Sequence, residues 1–344
     1  MLNDSRSRKF QRGIARHDFD QHTSSMNNLA ALAASNFRIS IRLLVGTNIG
    51  AAACFAMIYS LSRSYLVQIR AGYDIAFQCV QETPMVLMLS IEPARVADLL
   101  SEHRIKFSPD VASRDYADVF GNTCTRIVAP PGLIEFRNDF LIADSGQSDA
   151  VAPDARQFEV SELPDDLLIY LLGSRYCDTE KLSNLAWSLF AAVMPGWPRV
   201  QAICDYAHDR ISFGYHHARG DRTAFEGHEE RIGVCRDFAH LAVTLCRCMN
   251  IPARYCTGYL GDIGVPPDPA PMDFSAWFEV YLDGHWYTFD ARHNHPRIGR
   301  IVMARGRDAA DVAISTSFGT VQLVRFSVVT EEATPATKRV FRAA

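Results

Sequence analysis

A cysteine that opens one helical pattern, followed by a short hairpin that ends in an aspartate, constrains this chain more than any other feature. Cys235 precedes a segment in which apolar residues at 234, 238, 241, 242 and 245 share one helical face. Two strand patterns follow at 276–282 and 285–290, and Asp283-Gly284 between them is typical of a tight hairpin. The pattern predicts that a thiol and the Asp290 carboxylate belong to neighbouring elements of one domain.

The position of Cys235 predicts a directed thiol. It follows Gly233 and lies in the first turn of the predicted helix, where unpaired backbone N–H groups and the helix dipole favour a thiolate. Arg231 and Arg236 add positive charge nearby. Without these flanks, the same cysteine would be interpreted as a small buried hydrophobe.

Five motifs occur in order along this part of the chain. They are Gly-Val-Cys-Arg-Asp-Phe-Ala-His-Leu at 233–241, Asn-Ile-Pro-Ala-Arg at 250–254, Thr-Gly-Tyr at 257–259, Ala-Trp-Phe-Glu-Val at 276–280 and Phe-Asp at 289–290. Together they closely resemble the core of transglutaminase-like proteins, specifically the bacterial cysteine peptidases of that superfamily. The resemblance implies a papain-like α+β fold, in which a nucleophile helix packs on an antiparallel sheet, preceded by a small β domain.

The resemblance also implies a Cys, His, Asp triad that attacks amides, either to hydrolyse them or to pass the acyl group to an amine. Cys235 matches the nucleophile and Asp290 matches the acid. Ser275 occupies the position of the family histidine, and a serine hydroxyl cannot take up a proton at neutral pH and return it. We therefore expect activity to be weak.

Other residues of this region are candidates for the site. His293 and His295 lie three and five residues after Asp290, so a loop that folds back could bring either imidazole towards the thiol as a substitute base. Trp277 and Tyr259 are candidate walls of the cleft.

Two hypotheses of function follow. In the first, the protein is a cysteine-type hydrolase or acyl-transfer enzyme that acts on peptide or isopeptide amides. In the second, the chemistry is lost and the cleft is a binding module for a peptide or a partner protein. The expected partner is a peptide or protein in both, and the sequence does not predict the oligomeric state.

Composition excludes several other classes. The net charge of −4, with no concentrated basic face, argues against nucleic-acid binding. The cluster of Asp290, His293 and His295 lacks the separated ligand groups of a zinc motif, and glycines 258, 261 and 264 lead into a proline-rich loop rather than a helix. We therefore expect no metal and no cofactor. Nine cysteines without short regular spacings favour a reducing compartment, and we predict a cytoplasmic protein.

The chain divides into four predicted regions. Residues 1–66 form an N-terminal extension, 67–160 a β-rich domain, 161–330 the transglutaminase-like core and 331–344 a tail. Within the extension, Leu43 to Leu61 carries no charge and is just long enough to span a bilayer, but it is only weakly apolar. The extension is interpreted as poorly ordered, and the alternative is an inner-membrane anchor with the N-terminus inside.

Overall fold

Four α-helices and fourteen strands form an α+β fold in residues 67–334, the part of the protein that the computed structural model describes. The helices are α1 (Thr179–Phe190), α2 (Trp197–Arg210), α3 (Ala224–Glu230) and α4 (Cys235–Cys248). The strands are β1 (Val67–Cys79), β2 (Thr83–Leu87), β3 (Lys106–Ser108), β4 (Ser113–Ala117), β5 (Thr123–Ala129), β6 (Gly132–Asp144), β7 (Ser212–Phe213), β8 (Ile232–Gly233), β9 (Ala253–Tyr259), β10 (Ser275–Leu282), β11 (His285–Phe289), β12 (Ile301–Gly306), β13 (Ser315–Ser317) and β14 (Val321–Glu332).

The predicted fold class is confirmed: the helix that begins at Cys235 packs on an antiparallel sheet, and β strands precede it. The predictions for 1–66, including the Leu43 to Leu61 segment, lie outside the described residues. Within 67–334, no helix combines the length and the apolar character that crossing a bilayer requires.

Helix α4 is the centre of the core. It packs on β10 and β9 of a sheet with the order β11-β10-β9-β12, and α1, α2 and α3 pack around it. Leu241 and Leu245 of the helix share one hydrophobic cluster with Phe278 and Val280 of the sheet. All residues from Asp237 to Cys248 are buried, as expected for a helix enclosed on every side.

The hairpin of β10 and β11 fixes the position of Asp290. Asp283 and Gly284 both have positive φ, at 48° and 83°, which is the backbone of the two-residue turn that their sequence predicts. Phe278 then pairs with Phe289. Asp290, the next residue, therefore leaves the hairpin beside the first residues of β10.

Two further four-stranded sheets contain strands from both ends of the described chain. Their orders are β14-β1-β6-β3 and β13-β2-β5-β4, and all their pairings are antiparallel. The assignment of 315–330 to the core domain stays a prediction; in the structure, β13 and β14 of this stretch pair with β2 and β1. Without β14, the long β1 would present a row of unpaired backbone groups. The domain division near residue 160 stays a prediction.

The sequence carries a signal for helix α3, which was not among the predictions. The Thr223 hydroxyl accepts the Glu226 N–H at 3.3 Å, and the Glu226 carboxylate accepts the Thr223 N–H at 3.0 Å. This reciprocal cap begins α3, and a threonine followed three residues later by a glutamate is its recognised pattern.

The close approach of β9 to β12 generates a testable prediction at Gly258. A Cβ atom built there would lie 2.1 Å from the carbonyl oxygen of Ile301, so the two backbones must separate to admit it. We expect Gly258→Ala to lower the free energy of unfolding by about 3 kcal/mol, at the upper end of overpacking costs. The control is Gly220→Ala, where a Cβ would meet nothing within 4 Å. Urea denaturation measures the free energy of unfolding of both variants. Equal values would contradict the proposal that the close approach of β9 and β12 requires glycine at position 258.

Candidate active site

The start of α4 holds Cys235 in place through a buried ion pair. The Asp237 carboxylate accepts the backbone N–H of Val234 at 2.8 Å and the Arg222 guanidinium at 3.0 Å, through the same oxygen. Both side chains are almost fully buried. The first turn therefore cannot shift without breaking a buried charge interaction, and the cysteine is fixed as its first residue.

The thiol lies against the beginning of β10. The Cys235 side chain packs against a cluster that contains Ala276 of this strand and Tyr255 of β9. Although the residue retains part of its exposed surface, burial raises the pKa of Cys235 to about 11, and the nearby positive charge of Arg292 offsets this only in part. The expectation of a favoured thiolate is corrected, because desolvation outweighs the positive charges near the sulfur.

The carboxylate group of Asp290 accepts four hydrogen bonds. Its Oδ1 accepts the backbone N–H groups of Arg292 and His293 at 3.0 and 3.1 Å. Its Oδ2 lies 3.0 Å from Nη2 of Arg300 and 2.9 Å from Nδ1 of His293. Burial alone would raise the pKa of this carboxyl, but the Arg300 guanidinium and the His293 contacts hold it well below its usual range. Asp290 is therefore a buried, ionised carboxylate.

Arg300 links this carboxylate to a distant part of the chain. Its Nε atom donates to both carboxylate oxygens of Asp149, at 3.1 and 2.9 Å, and its guanidinium lies 4.9 Å from the centre of the Trp277 ring. The sequence analysis did not identify Arg300 or Asp149, because 151 positions separate them and no motif connects them. Only the folded chain brings them together.

Ser275 and His293 line one pocket, which encloses about 460 Å³ including the part open to solvent. Tyr215, Met272 and Arg292 are also in its wall. Within residues 67–334, neither the Ser275 hydroxyl nor Nε2 of His293 has a hydrogen-bond partner. The imidazole thus has one nitrogen held by Asp290 and the other available.

The two candidate bases occupy different surroundings. Within the described residues, the His295 ring makes no hydrogen bond to Asp290: its Nδ1 lies 3.2 Å from the carbonyl oxygen of Pro296, and the residue lines, with Asp149 and Asp290, a pocket different from that of Ser275. Of the two imidazoles, that of His293 is hydrogen-bonded to Asp290 and lines the pocket of Ser275.

Trp277 and Tyr259 do not line the pocket of Ser275. They are 1% and 0% exposed. Trp277 packs with Cys256 and Val302, and Tyr259 packs against Phe140 and other aromatic rings. The expectation that they form the cleft walls is corrected: both faces of β10 are covered, so alternate residues of this strand do not reach solvent.

The raised pKa of Cys235 predicts the pH dependence of its alkylation. Because only the thiolate reacts, we expect the iodoacetamide rate to keep rising to about pH 11 and, at pH 8, to be roughly 100-fold below that of an unperturbed thiol. Mass spectrometry of the peptide containing Cys235 measures the rate.

Two variants test which neighbouring charges shift the pKa of Cys235. Arg292 lowers the pKa and Asp273 raises it, so Arg292→Gln should slow alkylation at pH 8 and Asp273→Asn should accelerate it. If the alkylation rate of the unmodified protein reached a plateau below pH 8, desolvation would not raise the pKa of the Cys235 thiol.

The buried carboxylate predicts a loss of stability that depends on pH. Asp290→Asn leaves Arg300 without one of its two carboxylates, and we expect a cost of about 3 kcal/mol at pH 7. Because the pKa of Asp290 is depressed in the folded state, its contribution is complete above the unfolded pKa of about 4 and declines as pH falls through the folded pKa.

Urea denaturation at several pH values between 7 and 2 measures the free energy of unfolding of Asp290→Asn and of the unmodified protein. The difference between the two should become smaller at the acid end. The control is Asp283→Asn, because the Asp283 side chain is 57% exposed and an asparagine accepts its positive φ. If the stability difference between Asp290→Asn and the unmodified protein stayed constant from pH 7 to pH 2, the Asp290 carboxylate would not be a buried, ionised group.

Comparisons with known proteins agree with this architecture. Residues 184–291, which include Cys235, Ser275 and Asp290, match the model of the transglutaminase-like superfamily. The crystal structure of a "putative cysteine protease" from Cytophaga hutchinsonii is similar, with a TM-score of 0.66 and 28% identity, over 78% of this chain and 91% of that chain.

Two uncharacterised mycobacterial proteins are similar over shorter stretches. A Mycobacterium leprae protein is 34% identical over 84 residues, 24% of this chain and 30% of its own length. A Mycobacterium tuberculosis protein is 32% identical over 132 residues, 35% of this chain and 42% of its own length. The matches therefore span less than half of these relatives. The family model and the Cytophaga structure, together with the helix and hairpin described above, show that residues 184–291 form a domain of the transglutaminase-like superfamily.

Proposed function

We propose that the protein acts slowly on peptide or isopeptide amides through Cys235, with His293 in the role that a strand-borne histidine has in the family. The observation that carries the proposal is the 2.9 Å contact between Nδ1 of His293 and Asp290, in an imidazole on the wall that also contains Ser275. A carboxylate that holds one imidazole nitrogen fixes the tautomer of the ring, so that the other nitrogen can accept a proton.

The proposed chemical step uses these groups in turn. In it, Nε2 of His293 takes the proton of the Cys235 thiol while the sulfur attacks the amide carbon. The C–N bond then breaks, and the imidazolium returns the proton to the leaving amine. The thioester that remains is cleaved by water in hydrolysis, or by a second amine in acyl transfer. Asp290 stays ionised throughout and stabilises the imidazolium.

Two features indicate slow turnover. A thiol whose pKa is about 11 is ionised to only about one part in ten thousand at pH 7, so nearly every attack requires proton transfer to the base. His293 and Arg300 also contact the same oxygen, Oδ2 of Asp290, so the negative charge of this carboxylate is divided between the imidazole and the guanidinium.

A second candidate function is binding of a peptide or a partner protein without turnover. The protonated thiol of Cys235 favours it, and so does Ser275, because the position of the family base then carries no group that accepts a proton at neutral pH. The same pocket would then hold an extended segment and release it unchanged.

We also propose a cytoplasmic location. Eight cysteines within the described residues are free thiols, seven of them buried, which supports a reducing compartment.

Four variants test the proposed function. We expect Cys235→Ala to abolish turnover and His293→Gln to lower kcat/KM by at least about 100-fold, the usual contribution of a general base. His295→Gln is the matched control and should change kcat/KM by less than about 2-fold. Ser275→His restores an imidazole on the strand and should raise kcat above that of the unmodified protein.

Two readouts separate the chemistries: release of new amino termini from casein for hydrolysis, and incorporation of dansylcadaverine into casein for acyl transfer. Equal activity of the His293→Gln variant would overturn the role of His293. Casein binding without either product, in a protein that gains turnover with Ser275→His, would overturn the enzyme proposal in favour of the binding module.

A further inference from the structure

The outer face of the sheet β13-β2-β5-β4 carries two arginines directly opposite each other. Arg114 of β4 pairs in register with Arg126 of β5, and both side chains are exposed. Within the described residues, neither guanidinium has an ion pair or a side-chain hydrogen bond. Like charges in direct cross-strand positions are unfavourable, so this pair costs stability unless an anion lies between them.

Apolar side chains continue the same face beyond the arginines. Val86 pairs with Arg126 on the next strand, and Val128 and Phe318 are 49% and 64% exposed. Together with Arg114 and Arg126 they line a shallow groove of about 930 Å³ including its open part. The surface therefore joins a double positive charge to an exposed apolar strip.

The remaining charge in the groove does not neutralise the arginines. Asp115 lines an adjoining pocket with both arginines, but its carboxylate accepts the Thr125 hydroxyl at 2.6 Å. Within the described residues, it forms no ion pair with Arg114 or Arg126. The groove thus presents positive charge and apolar surface to a ligand.

We propose that this groove binds an acidic segment of a partner protein, with a carboxylate between Arg114 and Arg126 and an apolar side chain against Val86, Val128 and Phe318. Paired guanidinium groups bind carboxylates through charge-assisted hydrogen bonds. A nucleic acid fits less well, because it requires a longer basic surface than two arginines bordered by valines and the chain as a whole has a net charge of −4.

The test is fluorescence anisotropy with the full chain and a fluorescein-labelled ten-residue peptide that alternates glutamate and valine. We expect saturable binding that weakens as salt rises. The double variant Arg114→Glu with Arg126→Glu should weaken binding at least 10-fold, and Phe318→Ser at least 3-fold. Arg104→Glu is the matched control, because Arg104 is exposed in the same part of the chain and should leave binding unchanged.

Three results would overturn the proposal: no binding of the acidic peptide, equal binding by the double variant, or tighter binding of a single-stranded oligonucleotide than of the peptide. Circular dichroism of each variant shows that it is folded. The proposal is independent of the chemistry of Cys235, so Cys235→Ala should bind the acidic peptide as the unmodified protein does. Loss of turnover in that variant with retained peptide binding separates the two proposals.

Discussion

The buried ion pair between Asp290 and Arg300 organises the whole corner of the molecule that contains the thiol. Asp290 follows the hairpin, Arg300 precedes β12 and Asp149 follows β6, so three distant parts of the chain meet at one guanidinium. Each charge would be costly without the others, since an isolated buried ion loses its hydration and gains nothing in return. The pair therefore keeps the end of the hairpin, and the turn after it, in one position relative to β10.

The consequence is that the Asp290 carboxylate and the His293 imidazole come from a single turn. His293 lies three residues after Asp290 and contacts it through both its backbone N–H and its ring. In the family arrangement that the sequence resembles, the imidazole begins one strand and the carboxylate ends the next. Here the strand position carries Ser275, so the orientation of the imidazole depends on the turn and on Arg300, and no longer on the pairing of β10 with β9.

Local sequence signals predicted the elements that carry the site, but not the contacts that tune it. The helix from Cys235 and the Asp-Gly hairpin each follow from short-range patterns, and the structure contains both, with the hairpin strands within one residue of their predicted bounds. The Asp149–Arg300 contact and the return of β14 to β1 depend on pairings across the chain that no local pattern encodes. The burial of Trp277 was missed because β10 is covered on both faces, which removes the alternation from which exposure is predicted.

The ion pair between Asp290 and Arg300, which holds this part of the structure in place, also limits the proposed chemistry of the site. Arg300 and His293 both approach Oδ2 of Asp290, so the negative charge that would stabilise an imidazolium is already shared with a permanent cation. The proposed proton transfer from Cys235 to His293 starts from a thiol that burial keeps protonated. Desolvation of the sulfur therefore opposes formation of the thiolate. In the proposed reaction, a bound peptide would have to supply part of the missing stabilisation through contacts that strengthen in the transition state.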